Sequence, residues 1–387
     1  MSASPRPRPG VPDGGSRLPS LTGLRFVAAV LVFCYHLSRE APFASPDADK
    51  WLTDVFSKAG SIGVSFFFVL SGFILTWTAK PGEPLRRFWT RRIAKIYPNH
   101  VATWVLALVL IVWAGRPLHP GTAVANLFLV HSWVPWMDVA WSMNDVSWTL
   151  ACELLFYLCF PLLHRWVGRI GAHMLWPAAG AVAVVAVCVP AIAGTLPATP
   201  DFGGISAWQV WFAYMLPPVR ALDFVLGIVM ARIVLTGRWI RLPAVPAALL
   251  VIAGWYLAAT QLPRAYGFVA ATIVPLALLI PAVATADIEG TPSLLRGRVA
   301  LWLGEVSFAF YLVHRLVLVY GHQALGRGRT WPMAQALGLV GVALVLSMLL
   351  AWALHQAVEQ PVMRLVRRRE RAREDRLRSV ELAVPTG

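Results

Sequence analysis

The sequence predicts an all-α, polytopic integral membrane helix bundle with about ten transmembrane helices. Three observations predict this class: 58% of the 387 residues are hydrophobic, only 14% are charged, and apolar runs long enough to cross a bilayer recur along the chain. An ordinary soluble domain carries about 25% charged residues, and a spanning helix needs roughly 20 apolar residues. A soluble protein with a very large core would not need so many separate apolar runs.

The apolar segments follow one another along most of the chain. They lie near residues 21–38, 60–79, 100–115, 146–163, 174–194, 212–235, 244–260, 266–286, 299–320 and 333–356. Pro and Gly number 29 each and often fall inside these runs, which transmembrane helices tolerate. A further run, residues 124–136, is short for a crossing, so we expect it to be re-entrant or to lie on the membrane surface. Residues 80–98 are expected to form an amphipathic or interfacial helix.

The placement of charge predicts that both termini of this cell-membrane protein are cytoplasmic. The formal net charge is +15, and arginines concentrate in the N-terminal arm, after the second span and in the C-terminal tail. Lys and Arg near short loops mark the cytoplasmic side, whereas segment 39–59 carries four acidic residues and is expected outside. An even number of spans follows, which excludes 124–136 as a crossing. The basic segments are expected to bind membrane lipid headgroups, and no nucleic acid.

Three regions are predicted from these patterns. Residues 1–18 form a disordered cytoplasmic arm, residues 19–361 the membrane domain, and residues 362–387 a basic cytoplasmic tail that is either helical or disordered. The N-terminus lacks the apolar stretch and cleavage site of a signal peptide, so the first span is expected to stay as an anchor. The four cysteines form no CxxC pair, which argues against a disulfide framework and a metal site.

Ionisable residues within the apolar segments are the candidates for chemistry, because a charge inside a membrane is costly. Arg25 and His36 share the first span and are about 16 Å apart along a helix. Arg25, near the cytoplasmic surface, suits a phosphate or carboxylate, and the deeper His36 suits a general base. The alternative is that Arg25 snorkels to the headgroups and His36 is a satisfied helix-end residue.

Glu153, at the beginning of another apolar run, must be paired, be protonated or face a wet cavity. Close to His36, it would orient the imidazole for activation of a hydroxyl. The alternative is a structural pair with an arginine such as Arg220. Arg220 and Asp223, three residues apart, are also able to satisfy each other.

Three further groups complete the candidates. Ser307, Tyr311 and His314 recur at four- and three-residue spacing on one helix face. His355 and Glu359 end the last span. Ser71 and Gly72 interrupt an aromatic run and permit close helix approach.

Six ordered motifs together resemble those of the acyltransferase-3 family of integral membrane acyltransferases, from Leu21 to Pro361. They are Arg-x10-His at Arg25–His36, the aromatic element at Gly63–Phe73, the basic element at Arg91–Pro98, and the elements at Trp148–Pro161, Leu303–His314 and Glu359–Pro361. Two positions depart from the family pattern. Leu154 stands where a second acidic residue is often found, and Lys95 occupies the third basic position.

The resemblance implies transfer of an acetyl or short acyl group from acyl-CoA, as co-substrate and without a bound cofactor, to a hydroxyl group. The chain looks most like the stand-alone macrolide 3-O-acyltransferases of antibiotic biosynthesis, which acylate a secondary metabolite. O-acetylation of a cell-surface polysaccharide or a lipid sugar is the alternative acceptor chemistry. A membrane transporter, whose intramembrane charges line a substrate path, is the alternative from another class.

The residues and the resemblance together predict the site. His36 and Glu153 are the expected catalytic residues, with His36 taking the acceptor's proton or carrying the acyl group transiently, and with His314 as the competing base. The residues expected to bind substrate are Arg25, Ser71, Arg91, Arg92, Tyr97, Trp148, Ser307 and His314. The arginines, with Lys95, are expected to meet the phosphates of acyl-CoA at the cytoplasmic side. Direct transfer and an acyl-enzyme are both left open.

Overall fold

A computed structural model describes residues 17–201, 204–326 and 328–383 of the chain. The predicted disordered arm, residues 1–18, lies outside these ranges except for its last two residues, and residues 384–387 of the tail also lie outside. Within the described ranges the regular secondary structure is helical and includes no β-strand. The predicted all-α class is therefore confirmed for this part of the chain.

The α-helices are numbered in chain order. They are α1 (Pro19–Glu40), α2 (Pro46–Phe56), α3 (Ala59–Trp77), α4 (Leu85–Trp113), α5 (Pro120–Leu127), α6 (Met137–Ala140), α7 (Trp148–Gly168), α8 (Leu175–Ala193), α9 (Ala207–Val210), α10 (Pro217–Leu235), α11 (Ala244–Thr260), α12 (Ile273–Ile288), α13 (Arg298–Gly326), α14 (Met333–Leu354) and α15 (Gln360–Ala383). A π-helical turn, His355–Glu359, joins α14 to α15.

Each of the ten predicted apolar segments contains one of these helices. In the described residues, seven helical stretches are long and apolar enough to cross a membrane: 19–40, 46–77, 85–113, 145–168, 172–193, 298–326 and 333–372. Of the remaining helices in those segments, α11 and α12 have 17 and 16 residues, and α10 carries Arg220, Asp223 and Arg232. The polytopic helix bundle is confirmed, and the number of ten crossings stays a prediction.

The amphipathic or interfacial helix predicted for residues 80–98 is helical from Leu85 onward, but it is not separate from the span that follows it. Most of that segment belongs to α4, which continues without a break from Leu85 through Pro98 to Trp113. A proline within a membrane helix removes one backbone donor, and neighbouring groups can compensate for that loss. The basic motif and the following apolar segment are therefore held on one rigid helix.

The other two uncertain segments take definite forms. Residues 124–136 hold only the end of α5 and a short 3-10 turn at His131–Trp133, which are too short to cross a bilayer as one helix. The tail forms α15, which is continuous with α14 through the π-helical turn. The choice between a helical and a disordered tail is thus decided for residues 360–383.

Helices α3 and α10 approach each other closely at two glycines. A Cβ atom on Gly72 would lie 2.0 Å from the carbonyl oxygen of Phe224, and one on Gly227 would lie 2.0 Å from that of Val69. Only glycine leaves room for backbones at this distance, which is how small residues pack membrane helices. The close approach predicted at Gly72 is confirmed.

A buried ion pair lies at the same helix contact. Arg220 Nη2 donates to Asp223 Oδ2 at 2.6 Å and to Ser65 Oγ of α3 at 2.8 Å. Both charged side chains are almost completely buried. The prediction that Arg220 and Asp223 satisfy each other is confirmed, and the alternative partner of Glu153 is not Arg220 but the Tyr157 hydroxyl.

Helix α1 packs against α3 and α13 and is fixed at its N-terminus by a buried carboxylate. Asp287 of α12 accepts hydrogen bonds from the backbone nitrogen of Ser20 at 2.8 Å and from Ser20 Oγ at 2.7 Å. The first N–H groups of a helix lack intrahelical partners, and the helix dipole favours a negative charge there. This contact sets the depth at which α1 places Arg25 and His36.

Candidate active site

Two histidines from distant parts of the chain form a hydrogen-bonded pair inside the helix bundle. His36 Nδ1 on α1 lies 2.9 Å from His314 Nε2 on α13, and the ring centroids are 5.0 Å apart. His314 is completely buried, whereas His36 is only partly buried. The two residues that the sequence offered as competing bases therefore form one unit.

The hydrogen bonds of His314 decide which nitrogen carries each proton. His314 Nδ1 lies 3.2 Å from the carbonyl oxygen of Phe310, and a carbonyl oxygen only accepts, so we assign the proton to His314 Nδ1. Nε2 of a neutral His314 must then accept a hydrogen bond from His36 Nδ1–H. A neutral His36 is left with an unprotonated Nε2, which is the nitrogen that a general base needs.

Aromatic side chains enclose the histidine pair. The ring centroids of Phe33, Phe310 and Tyr311 lie 6.2, 5.7 and 5.9 Å from that of His314. The Tyr35 ring lies 5.0 Å from that of His36. Such a lining limits the access of water, which strengthens the hydrogen bonds within the pair.

Three cavities form a series that ends near this pair. The basic cavity, of about 390 Å³, is lined by Arg91 and Arg92. The middle cavity, of about 200 Å³, shares Arg92 with the basic cavity and is also lined by Arg25 and Glu153. The deep cavity, of about 40 Å³, shares Arg25 and Glu153 with the middle cavity and reaches Tyr311, whose ring contacts His314. The series therefore leads from a basic mouth toward the histidines.

The cations predicted to bind the donor all line this series. Arg91 and Arg92 line the basic cavity, Lys95 lines the middle cavity, and Arg25 lines the middle and deep cavities. Arginine and lysine side chains in partly enclosed positions suit the recognition of phosphate groups. The structure thus brings together residues that the sequence places in two separate motifs.

Carboxylates partner two of these cations. Arg91 is ion-paired with Glu83, and Lys95 is ion-paired with Glu359. The Glu359 carboxylate is only 4% exposed and also accepts a hydrogen bond from Asn99 Nδ2 at 2.8 Å. Glu359 is therefore held within the bundle, whereas Glu83 lies on the loop between α3 and α4.

Glu153 does not contact His36. Its Oε2 accepts a hydrogen bond from the Tyr157 hydroxyl at 3.0 Å, one turn along α7, and its side chain lines the middle and deep cavities with Arg25. The orienting contact predicted between Glu153 and His36 is not formed, because α7 directs Glu153 toward the cavities and His314 occupies the position beside His36. The structure brings Glu153 together with Arg25 instead.

The remaining predicted substrate-binding residues lie in different surroundings. Ser71 lines the middle cavity. The Tyr97 hydroxyl donates to the carbonyl oxygen of Leu127 at 2.9 Å, and Trp148 is buried in the core. Ser307 is buried, and its Oγ donates to the backbone one turn earlier in α13 at 2.7 Å. Of these four residues, only Ser71 lines the series of cavities.

An ion-paired cavity of about 420 Å³ lies beside the histidines. It is lined by Arg315, which follows His314, by Glu40, one turn after His36, and by Asp145. Arg315 donates from Nη1 to Glu40 at 2.5 Å and from Nε to Asp145 at 2.7 Å. The sequence did not predict these three residues as part of the site. Arg315 directly follows His314 and Glu40 lies one turn after His36, so their positions next to two candidate histidines could have identified Arg315 and Glu40.

Comparison with known proteins identifies similar sequences. The sequence profile of a family described as an acyltransferase domain matches residues 18–352. Acyltransferase MdmB of Streptomyces mycarofaciens is 43% identical over 363 residues, which cover 91% of this chain and 93% of that protein. Peptidoglycan O-acetyltransferase OatA of Listeria monocytogenes is 31% identical over 165 residues, which cover 37% of this chain and 24% of that protein. No solved structure matches the chain.

Proposed function

Because this chain belongs to the acyltransferase-3 family, we propose that it moves an acetyl or short acyl group from acyl-CoA to a hydroxyl of a small-molecule acceptor. The observation that carries this proposal is the pairing of His36 with His314. The pair leaves Nε2 of His36 as a base in a water-poor site, and a hydroxyl needs such a base to become a nucleophile.

In the proposed reaction, His36 Nε2 takes the proton of the acceptor hydroxyl as the oxygen attacks the thioester carbonyl. A C–O bond forms and the C–S bond breaks. The imidazolium then returns its proton to the departing CoA thiolate, so that His36 is neutral again. His314 accepts the Nδ1–H hydrogen bond throughout and keeps the imidazole in the reactive orientation. An acyl group carried transiently on His36 would instead produce ping-pong kinetics.

The donor is proposed to occupy the series of three cavities. Its phosphates would meet Arg91, Arg92 and Lys95, and its pantetheine arm would pass Arg25 and Glu153 toward Tyr311. The support for this placement is the gradient along the series, from a wide basic cavity to a narrow cavity with an aromatic wall. Multiply charged phosphates favour such clusters of arginine and lysine.

The acceptor is proposed to reach His36 from the ion-paired cavity. That cavity lies beside the histidine pair, is larger than the donor cavities, and carries Arg315, Glu40 and Asp145 on its walls. Side chains with fixed ion pairs present oriented donors and acceptors to a polar, hydroxyl-bearing molecule. Donor and acceptor would then meet at His36 from separate cavities.

A macrolide antibiotic is the acceptor that we propose. The chain matches 93% of the length of one acyltransferase, MdmB, and this coverage supports the resemblance to the stand-alone macrolide enzymes. A second candidate, O-acetylation of a cell-surface polymer, is favoured by the similarity to peptidoglycan O-acetyltransferases. That match covers 37% of this chain and 24% of OatA, so it supports the polymer less strongly.

We also propose that both termini and the basic cavity face the cytoplasm, where acyl-CoA is found. The support is the concentration of arginines in α4 and α15. Reporter fusions at residue 52 and at the C-terminus should localise to opposite sides of the membrane. Localisation of both reporters to one side would overturn this orientation.

The experiment that tests the function combines membranes containing the protein with labelled acetyl-CoA. A panel of hydroxyl-bearing acceptors should include a macrolide, a peptidoglycan fragment and their fully O-protected forms. We expect label to appear as an ester on the free macrolide only. Label on the peptidoglycan fragment would favour the second candidate, and acceptor transport without any use of acetyl-CoA would indicate a transporter.

A further inference from the structure

The mouth of the basic cavity contains a carboxylate where the proposed donor would place phosphates. Glu83 lines this cavity, and its carboxylate is ion-paired with Arg91, which lines it too. The Glu83 side chain is 14% exposed and that of Arg91 24% exposed, so both are accessible from the cavity. Arg91, which would bind the phosphates of the proposed donor, is thus already paired with the carboxylate of Glu83.

Glu83 is held less firmly than the other carboxylate in the cation cluster. Glu359, which partners Lys95, also accepts a hydrogen bond from Asn99 and lies 3.4 Å from His355 Nδ1. Within the described residues, the Glu83 carboxylate has only its contact with Arg91. The charge of Glu83 is therefore the one that is free to leave its partner.

The loop that carries Glu83 has few constraints of its own. It joins α3 to α4, and the residue before Glu83 is Gly82, with φ of +72°. Within this turn the Glu83 backbone nitrogen donates to Lys80 O at 3.3 Å. Gly82 adopts left-handed backbone angles without strain, so the turn can change conformation at little cost. A small movement of this loop would release Arg91 without disturbing α4.

We infer that Glu83 is a displaceable counter-ion that competes with the donor's phosphates for Arg91 and thereby weakens donor binding. The inference rests on the proposed acyl-CoA donor and deepens it, because it names the residue that sets donor affinity. Phosphate and carboxylate oxygens bind the guanidinium group through the same donors, so both cannot occupy Arg91 fully.

The same helix offers a matched control pair outside the cavity. Arg87, one turn before Arg91, is ion-paired with Glu370 of α15 at 3.2 Å, with side chains 34% and 18% exposed. Neither residue lines the basic cavity. A change at Glu370 removes one negative charge beside the same helix, as a change at Glu83 does, but away from the proposed phosphate position.

The test is the affinity of the purified full-length protein, in lipid nanodiscs, for acetyl-CoA measured by calorimetry without acceptor. Glu83→Gln should bind acetyl-CoA about 1.5- to 5-fold more tightly, because a partly exposed ion pair no longer has to be broken. Glu83→Ala should bind at least as tightly as Glu83→Gln. Glu370→Gln should bind like the parent protein. In an Arg91→Ala background, Glu83→Gln should have no effect.

The possible results separate this inference from the proposed donor. Tighter binding that depends on Arg91 supports the inference. Unchanged or weaker binding by both Glu83 variants, with normal binding by the parent protein, would overturn the inference and leave the donor assignment intact. An equal gain in Glu370→Gln would also overturn it, since the effect would then be one of net charge. No saturable binding of acetyl-CoA to the parent protein would overturn both.

Discussion

His36 Nδ1 and His314 Nε2 lie 2.9 Å apart, although 278 residues separate them in the chain. The carbonyl oxygen of Phe310 holds the proton of His314 on Nδ1, so His314 Nε2 accepts the hydrogen bond from His36 Nδ1–H. The unprotonated Nε2 of His36 therefore faces away from His314. This relationship gives the two histidines different roles. His36 is the base, and His314 is the positioning residue that keeps it in one tautomer and one orientation.

The first prediction concerns the positioning residue. His314→Leu should lower kcat by roughly 5- to 150-fold, the equivalent of about 1–3 kcal/mol for a lost buried hydrogen bond, and should leave the KM for acyl-CoA unchanged. His314→Gln keeps an oxygen that is able to accept from His36 Nδ1–H, so it should retain more activity than His314→Leu. Steady-state kinetics with both variants provide the check. Equal activity of the two variants would argue against the hydrogen bond as the cause.

The second prediction concerns the donor cations. Arg25→Ala and Arg92→Ala should each raise the KM for acyl-CoA about tenfold or more, because each charge-assisted contact contributes about 1.5–3 kcal/mol. Arg86→Ala is the matched control, since Arg86 lies on the same basic helix, is exposed and lines none of the three cavities. An unchanged donor KM in folded Arg25 and Arg92 variants would remove both residues from the donor site.

The third prediction concerns the anchor of α1. Asp287→Ala leaves the first turn of α1 without its two hydrogen bonds from Ser20, so the protein should lose about 1–2 kcal/mol of stability. Thermal unfolding in detergent is the measurement. Glu289→Ala, an exposed acidic residue two positions further along, should have no comparable effect. Similar losses in the two variants would show that the contact with Ser20 is not the cause.

The fourth prediction is a pH dependence of stability. His131 is buried beside Ser147, and burial lowers the pKa of His131 from its usual 6.5 to about 3, with the nearby His100 adding to the shift. A histidine with a lowered folded-state pKa takes up its proton on unfolding. Stability therefore falls as the pH drops from about 6.5 toward about 3, by up to about 1.4 kcal/mol per pH unit.

Unfolding midpoints at pH 7.5 and 5.5 provide the check for His131. The difference between the two midpoints should be smaller in His131→Asn than in the parent protein, because asparagine does not titrate. The same pH dependence in both proteins would mean that other groups account for it.

Much of the fold follows from the sequence because the apolar segments are long and well separated. Each of the ten segments contains a helix, and the pairing of Arg220 with Asp223 follows from their three-residue spacing on α10. The helix predicted for residues 80–98 and the apolar segment at 100–115 form the single helix α4, which continues through Pro98. The charged residues at 85–95 favoured a surface element and so concealed this continuity. Composition indicates where a helix is apolar, but it does not indicate where the helix begins.

The site could be predicted only in part, for a related reason. Sequence spacing relates residues on one helix, so it predicts Arg25 and His36 as one group. It predicts Ser307, Tyr311 and His314 as another. Contacts between helices depend on their rotation and depth, which are set by remote features such as the Asp287 anchor and the Gly72 contact. The partner of His36 is therefore His314 rather than Glu153.

The most direct test of the central claim is turnover of labelled acetyl-CoA by purified His36→Gln. Glutamine retains hydrogen bonding but has no basic nitrogen, and general-base assistance contributes about 10²–10⁴ in rate. We predict that His36→Gln binds acetyl-CoA with the affinity of the parent protein and transfers no detectable label to the acceptor. Near-normal transfer by His36→Gln, together with an inactive His314→Gln, would contradict the claim and assign the base to His314.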